Sequence, residues 1–292
     1  LRKPWFNIVL LLAIWLLWGY SWTVSKLGLP LIGPFDMAVW RTLFGALTLA
    51  VLMLATGRSL RPTPFWPTFV LGLAQTALFT ALTNFALVAG GAGKVSVLSY
   101  TMPFWAVLLT RWWLKEPVAR SQYLALGCAL LGLIGILEPW HLKGSLLSDA
   151  LALAGGVAWA FAAVHAKRMR RHGEVGTLAL TFWQMFWGFW PLLLLAGLIN
   201  EPPPHWGWPL WGVLLYLGPL ASGAGWLIWM TLLARLSASV AGLSVLVIPA
   251  LALALSALQL GEAPSHAEAL GMGLIGLSLA LVAWQGMRKS VS

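Results

Sequence analysis

The chain is 292 residues long, 60% hydrophobic and 9% charged, with a net charge of +10. Runs of about 20 apolar residues recur along its whole length, so most of it belongs in hydrocarbon and no stretch is left for a soluble catalytic head. The basic residues sit in short clusters between apolar runs, which marks cytoplasmic loops rather than a nucleic-acid surface. The lone Cys128 excludes an intramolecular disulfide and a thiolate metal site.

Apolar runs read against their polar breaks predict ten helices. The first, 5–25, follows Arg2 and Lys3; it is long and no small-residue cleavage site follows, so it reads as a retained span rather than a signal peptide. Its Trp18, Ser21, Trp22 and Ser25 share a face. The second, 35–57, carries Arg41 about two turns in, placed to hold a substrate carboxylate or phosphate, to snorkel, or to bond helix-end carbonyls. In the third, 66–89, Thr76, Thr80, Thr83 and Asn84 form a polar stripe reaching Leu87, and a polar stripe in lipid faces protein or water. The fourth, 95–114, places Ser96, Ser99, Tyr100 and Pro103 on one side. The fifth, 121–139, repeats small residues at Gly127, Gly132 and Gly135, which permit close helix contact. The sixth, 148–167, brings Trp159 to mid-span and His165 to the inner end, where it either carries a coupling proton or sits at the interface beside Lys167 to Arg171. The seventh spans 177–199 and the eighth, 208–234, contains Trp226. The ninth, 238–260, contains Ser244 and Pro249. The tenth, 266–287, repeats the small residues of the fifth at Gly271, Gly273 and Gly276.

One spacing occurs twice, 146 residues apart: Pro103, Glu116 and Gly127, then Pro249, Glu262 and Gly273. It divides the chain into two halves of five helices, 1–140 and 146–292. With the N-terminus inside, fourteen basic residues fall on the cytoplasmic side against Lys26, Lys94 and Lys143 outside, so both termini are expected in the cytoplasm. An odd number of spans per half inverts the second half, a plan recurrent in carriers with the substrate site between the halves. Pro103 and Pro249 each remove a mid-span hydrogen bond, bend their helices and offer paired hinges. Glu116 and Glu262 lie in tight connections and are expected to cap the fifth and tenth helices.

These features resemble the EamA type of the drug/metabolite transporter superfamily. The resemblance rests on the aromatic-rich helices WGYSWTVSKLG (18–28) and WAFAAVHAKRM (159–169), on Arg41 within FDMAVWRTLFGALTL, and on the proline-to-glutamate fourth and ninth helices. It implies an all-α integral membrane fold, ten transmembrane helices arranged as two inverted five-helix repeats around a central cavity. It also implies a multi-pass exporter of amino acids or related small polar metabolites in the bacterial inner membrane. A drug, nucleoside or sugar permease of the same fold is the nearest alternative.

The residues supply the candidate path. Of 20 Trp, those near helix ends read as interfacial anchors, while Trp18, Trp22, Trp159 and Trp226 read as aromatic walls suited to apolar side chains and to an ammonium. With Thr80, Asn84, Ser99, Tyr100 and Ser244 they form the candidate substrate contacts. Helices one and six, two and seven, three and eight, and four and nine should line the cavity, with five and ten outside. Arg41 and His165 are the candidate charge partners. No acidic residue lies deep in a span, so facilitated diffusion is the simplest mechanism. A His-Glu-x-x-His, a Gly-x-Ser-x-Gly and a filter-like sequence are all absent, which disfavours an intramembrane enzyme or a channel. No cofactor or metal is implied, and the expected partners are a small-molecule substrate and the lipid bilayer, with no nucleic acid; the sequence leaves the oligomeric state open, a monomer being one option.

Overall fold

The computed structural model describes residues 4–115, 120–137, 145–172, 175–236, 241, 244–261 and, between 265 and 278, all positions but 268, 272, 275 and 276. Glu116 and Glu262, expected as helix caps, lie outside the described residues, as do Arg2, Lys3, Lys143 and the basic C-terminus.

The chain is a bundle of helices, and no strand occurs among the described residues. We number them α1 (Pro4–Gly28), α2 (Pro34–Ala55), α3 (Phe65–Ala89), α4 (Ala92–Leu114), α5 (Arg120–Leu137), α6 (Leu146–His172), α7 (Thr177–Ile199), α8 (Trp208–Arg235), α9 (Val247–Leu260) and α10, helical residues within 266–278. Seven of these are long and apolar enough to cross a membrane. Helix is the expected outcome, because in hydrocarbon each backbone N–H and C=O must be satisfied within its own segment. Leu16, Val51, Leu54, Leu194 and Leu198 are exposed along the outside of the bundle, as a lipid-facing surface requires.

Three spans contain wider, π-helical turns: Leu73–Leu78 in α3, Thr110–Leu114 at the end of α4, and Tyr216–Ala224 in α8, the last around Pro219. The α-helix of α4 stops at Ser99 and restarts at Met102, with Pro103 in the first turn of the second segment. Thus Pro103 starts a new helical segment after a two-residue break, where a bend within a continuous helix was expected. Pro249 behaves alike, seated in the first turn of α9 behind a turn at Val245 and Leu246. Pro suits this position because its missing N–H has no intrahelical partner there.

The packing is symmetric. Helix α1 lies on α9 as α6 lies on α4; α2 lies on α8 as α7 lies on α3; and α2 meets α7, and α4 meets α9, across the centre. Exchanging one half for the other maps these contacts onto themselves. The tightest crossings are paired in the same way: Gly72 of α3 abuts Gly188 of α7, and Gly223 of α8 abuts Gly45 of α2. A Cβ at Gly188 would stand 2.6 Å from the Gly72 carbonyl, and one at Gly223 3.2 Å from the Gly45 carbonyl. Backbones that approach so closely need small residues.

Helices α5 and α10 touch where Gly135 faces Gly271. By contrast, Gly127 and Gly273, the glycines of the repeated spacing, have no described residue within 4 Å of where a Cβ would stand. The close contact expected of them falls to other small residues of the same helices.

Candidate substrate site

A narrow cavity of about 30 Å³ lies at the centre of the bundle. Helix α1 supplies Trp18, Ser21, Trp22 and Ser25; α2 supplies Arg41; α3 supplies Phe79, Thr80, Thr83, Asn84 and Leu87; α4 supplies Tyr100 at its break; α6 supplies Trp159 and α8 Trp226. Eleven of the thirteen lining residues therefore come from the first half, and α7 and α9 contribute none. The packing of the bundle is symmetric but the chemistry of its cavity is not.

The aromatic wall is interlocked. Trp18 meets Trp226 edge to face at 4.8 Å between ring centroids and Trp159 at 5.5 Å, and Tyr100 meets Trp159 at 5.1 Å. Phe79 packs on Trp159 and Trp226, and the fully buried Trp229 backs the cluster. Edge-to-face contact sets the positive rim of one ring against the negative face of another. The free space is consequently a slot between rings. Trp18 is further held by its Nε1, which donates to the Ala221 carbonyl at 2.8 Å within the π-helical part of α8. Its indole lies where a side chain at Gly225 would have to stand.

Polar groups converge from two sides. Thr83 Oγ1 and Ser21 Oγ donate to carbonyls of their own helices, Phe79 and Trp18. Asn84 Nδ2 donates to the Pro34 carbonyl at 3.0 Å, tying α3 to the start of α2 while the residue borders the cavity. Arg41 is half-buried, seven residues inside α2, and its Nε donates to Ser222 Oγ at 3.2 Å. Among the described residues the only ion pair is Lys94 with Asp149, so Arg41 has no carboxylate partner. Trp159 Nε1 is buried with no acceptor.

The structure thus brings seven of the nine expected substrate contacts to one cavity: Trp18, Trp22, Thr80, Asn84, Tyr100, Trp159 and Trp226. Ser99 and Ser244 are elsewhere. Ser99 is fully buried with its hydroxyl donating to the Val95 carbonyl, in the stretch of α4 that packs on Gly156 of α6. Ser244 donates to Ala241, and its own carbonyl receives Trp15 Nε1 at 2.8 Å, a link between α1 and the start of α9. Ser99 is the neighbour of the lining residue Tyr100 but turns away from the cavity, and Ser244 belongs to a segment that supplies none of the lining. The two candidate charges also separate. Arg41 borders the cavity, whereas His165 borders a second one of about 670 Å³, where it packs against both Trp113 and Phe161 and its Nε2 lies 2.9 Å from the Pro67 carbonyl. Phe79 was missed by the sequence reading because nothing distinguishes an apolar ring against a cavity from one in lipid.

Both ends of the bundle are stitched. At the end bearing Lys26, Lys26 Nζ donates to the Leu87 and Gly90 carbonyls, Lys94 pairs with Asp149 at 3.0 Å, and Glu201 accepts from the N–H groups of Phe35 and Asp36 at the start of α2. Backbone N–H groups at a helix start are natural anion ligands. At the other end Arg171 Nη1 donates to the Leu114 carbonyl at 2.9 Å.

Comparison with known proteins agrees with this architecture. The chain is 26% identical to YoaV of Bacillus subtilis, described as an uncharacterized transporter, over 86% of this chain and 88% of that one. It is 28% identical to a probable amino-acid metabolite efflux pump of Salmonella typhimurium, over 94% and 92% respectively. A solved crystal structure shares the fold with a TM-score of 0.78 at 21% identity, over 97% of this chain and 98% of the other. A family description matches the chain twice, over residues 5–138 and again over 146–284, once in each half of the symmetric bundle. A multi-pass helical membrane protein that carries this family's unit in both halves is a transporter by lineage, and the chain belongs to the EamA-like transporter family.

Proposed function

We propose that the protein exports amino acids or related small polar metabolites by alternating access, with the central cavity as its substrate site. The observation that carries this reading is the cavity itself, at the meeting of the two halves, with aromatic walls, hydroxyls and one half-buried cation. The halves 1–140 and 146–292 act as inverted units, and their rocking about the cavity exposes it to one side at a time. The breaks before Pro103 and Pro249 lie where α4 and α9 meet and serve as the hinges. The bacterial relatives and the excess of basic residues in alternate connections support an inner-membrane location with both termini cytoplasmic. The description of the Salmonella relative as a probable amino-acid metabolite efflux pump supports amino acids or their metabolites as the substrate class. The family and the relatives described as transporters support a carrier rather than an enzyme.

The test is flux in liposomes containing the purified protein. Saturable uptake of an amino acid, accelerated by the same amino acid preloaded inside, is the expected result. Flux that rises linearly without counterflow would establish a channel, and conversion of the solute an enzyme. Tyr100→Phe and Thr80→Val should each change affinity about threefold to tenfold, as the loss of one neutral hydrogen bond does. Unchanged affinities and an unchanged substrate ranking in both would place the path elsewhere.

A further inference from the structure

The cavity has an excess of unmatched donors. Its lining holds one full positive charge, Arg41, and no Asp or Glu. The structure gives Arg41 a single acceptor, the neutral Ser222 hydroxyl, although an unpaired cation in a span is costly and is kept where it meets a substrate or a partner. Trp159, on the same lining, has a fully buried Nε1 with no acceptor. An ammonium would find ring faces and neutral hydroxyl and amide oxygens here but no carboxylate, whereas a carboxylate would find a guanidinium able to bind it through two parallel bonds.

We infer that the cavity selects organic monocarboxylates, an aromatic or apolar body with one carboxylate, and that Arg41 is the counter-charge of the anion. The inference deepens the reading of the cavity as the substrate site and rests on it. A net negative substrate makes transport electrogenic. In a cell that is negative inside, the membrane potential alone then drives the anion outward, and no protonated carboxylate relay is needed. Zwitterionic amino acids are accepted through their carboxylate but gain nothing from the potential. Amines of the same shape are rejected by the charge of Arg41.

Three probes with one ring system separate the possibilities: indole-3-propionate, tryptophan and tryptamine, assayed in liposomes against protein-free vesicles that set the leak. Indole-3-propionate and tryptophan should compete with radiolabelled indole-3-propionate, and tryptamine should be about tenfold to a hundredfold weaker, the range for a lost charge-assisted bond. Vesicles made positive inside by valinomycin and a tenfold potassium gradient should accumulate indole-3-propionate about tenfold, the equilibrium ratio for one charge, and should not accumulate tryptophan. Arg41→Gln should abolish the preference for the carboxylates, and Arg41→Lys should retain it in weaker form. Ser222→Ala keeps Arg41 and should keep the preference, which covers the case in which Arg41→Gln does not fold by gel filtration. Equal competition by tryptamine, or a carboxylate preference that survives in folded Arg41→Gln, overturns the assignment. Carboxylate preference without accumulation under the potential overturns the electrogenic mechanism. If Tyr100→Phe and Thr80→Val change the ranking while Arg41→Gln does not, the cavity is the site but not for anions. If none of the cavity variants matters, or no probe is carried, both readings fail.

Discussion

Gly225 of α8 shows how a residue with no side chain positions one that has a large one. The Trp18 indole lies across it and hydrogen-bonds Ala221, one turn away. Gly225→Ala would place a methyl group within the volume of the indole Nε1, so the ring must swing off and lose the bond. We expect transport to lose about tenfold in affinity for indole-bearing substrates, the worth of roughly one hydrogen bond, and less for small ones. Gly212→Ala, on the same helix with nothing nearby, is the control. The measurement is competition by amino acids of graded size. Equal effects of the two substitutions would show that the seat of Trp18 is irrelevant to the site. Arg41 and His165 are instructive as a pair. Both looked like isolated titratable groups near helix ends, and only the tertiary packing decided that Arg41 meets the central cavity while His165 borders another.

At the level of elements, helix termination follows the repeat. Among the described residues the left-handed positions are Gly57, Lys115, Asn200 and Gly261. Gly57 and Asn200 follow α2 and α7, and Lys115 and Gly261 follow α4 and α9, so they form two repeat-related pairs. Lys115 and Gly261 immediately precede Glu116 and Glu262 of the repeated spacing, so part of what that spacing records is where a helix stops. Gly and Asn adopt this conformation readily, as helix ends prefer. The glycine crossings are the other paired element. Gly188→Leu would drive a side chain into the Gly72 carbonyl and Thr76, with a cost of about 1–3 kcal/mol or more from overpacking. Gly197→Leu, on the same helix facing open space, should be near neutral. Thermal unfolding in detergent distinguishes them, and equal melting temperatures would mean that the crossing tolerates separation.

For the whole molecule, the question is what ties together the helices that flank the cavity at the end bearing Lys26. Lys94 of α4 and Asp149 of α6 are each about one quarter exposed, so their pair contributes less than about 1 kcal/mol to stability. Its place, between helices that flank the cavity, fits a latch better than a staple. Asp149→Asn should leave the melting temperature nearly unchanged. It should also raise the labelling of Trp22→Cys by a membrane-impermeant thiol reagent, in a background with Cys128→Ala. A large loss of stability with unchanged labelling would make the pair structural and not a latch.

The sequence by itself determined the solvent, the spans and the doubling of the chain, because these depend on summed hydropathy and on spacing, which are linear quantities. The expected α7, 177–199, matches the observed Thr177–Ile199, and others were shorter than the structure, α6 by more than a turn where the basic run Lys167 to Arg171 continues the helix. The polar stripe of α3 was also legible, since period alone sets Thr80, Thr83 and Asn84 on one face. The tertiary structure decided the rest. Thr76, on the same helix, is pressed against Gly188 of α7 instead of bordering the cavity. The π-helical turns of α3 and α8 rotate the faces beyond them, and the break at Tyr100 replaces an expected bend. Which residues meet the cavity therefore depends on small rotations about each helix axis, set by packing against neighbours far away in the chain, and no periodicity within a single helix carries that information.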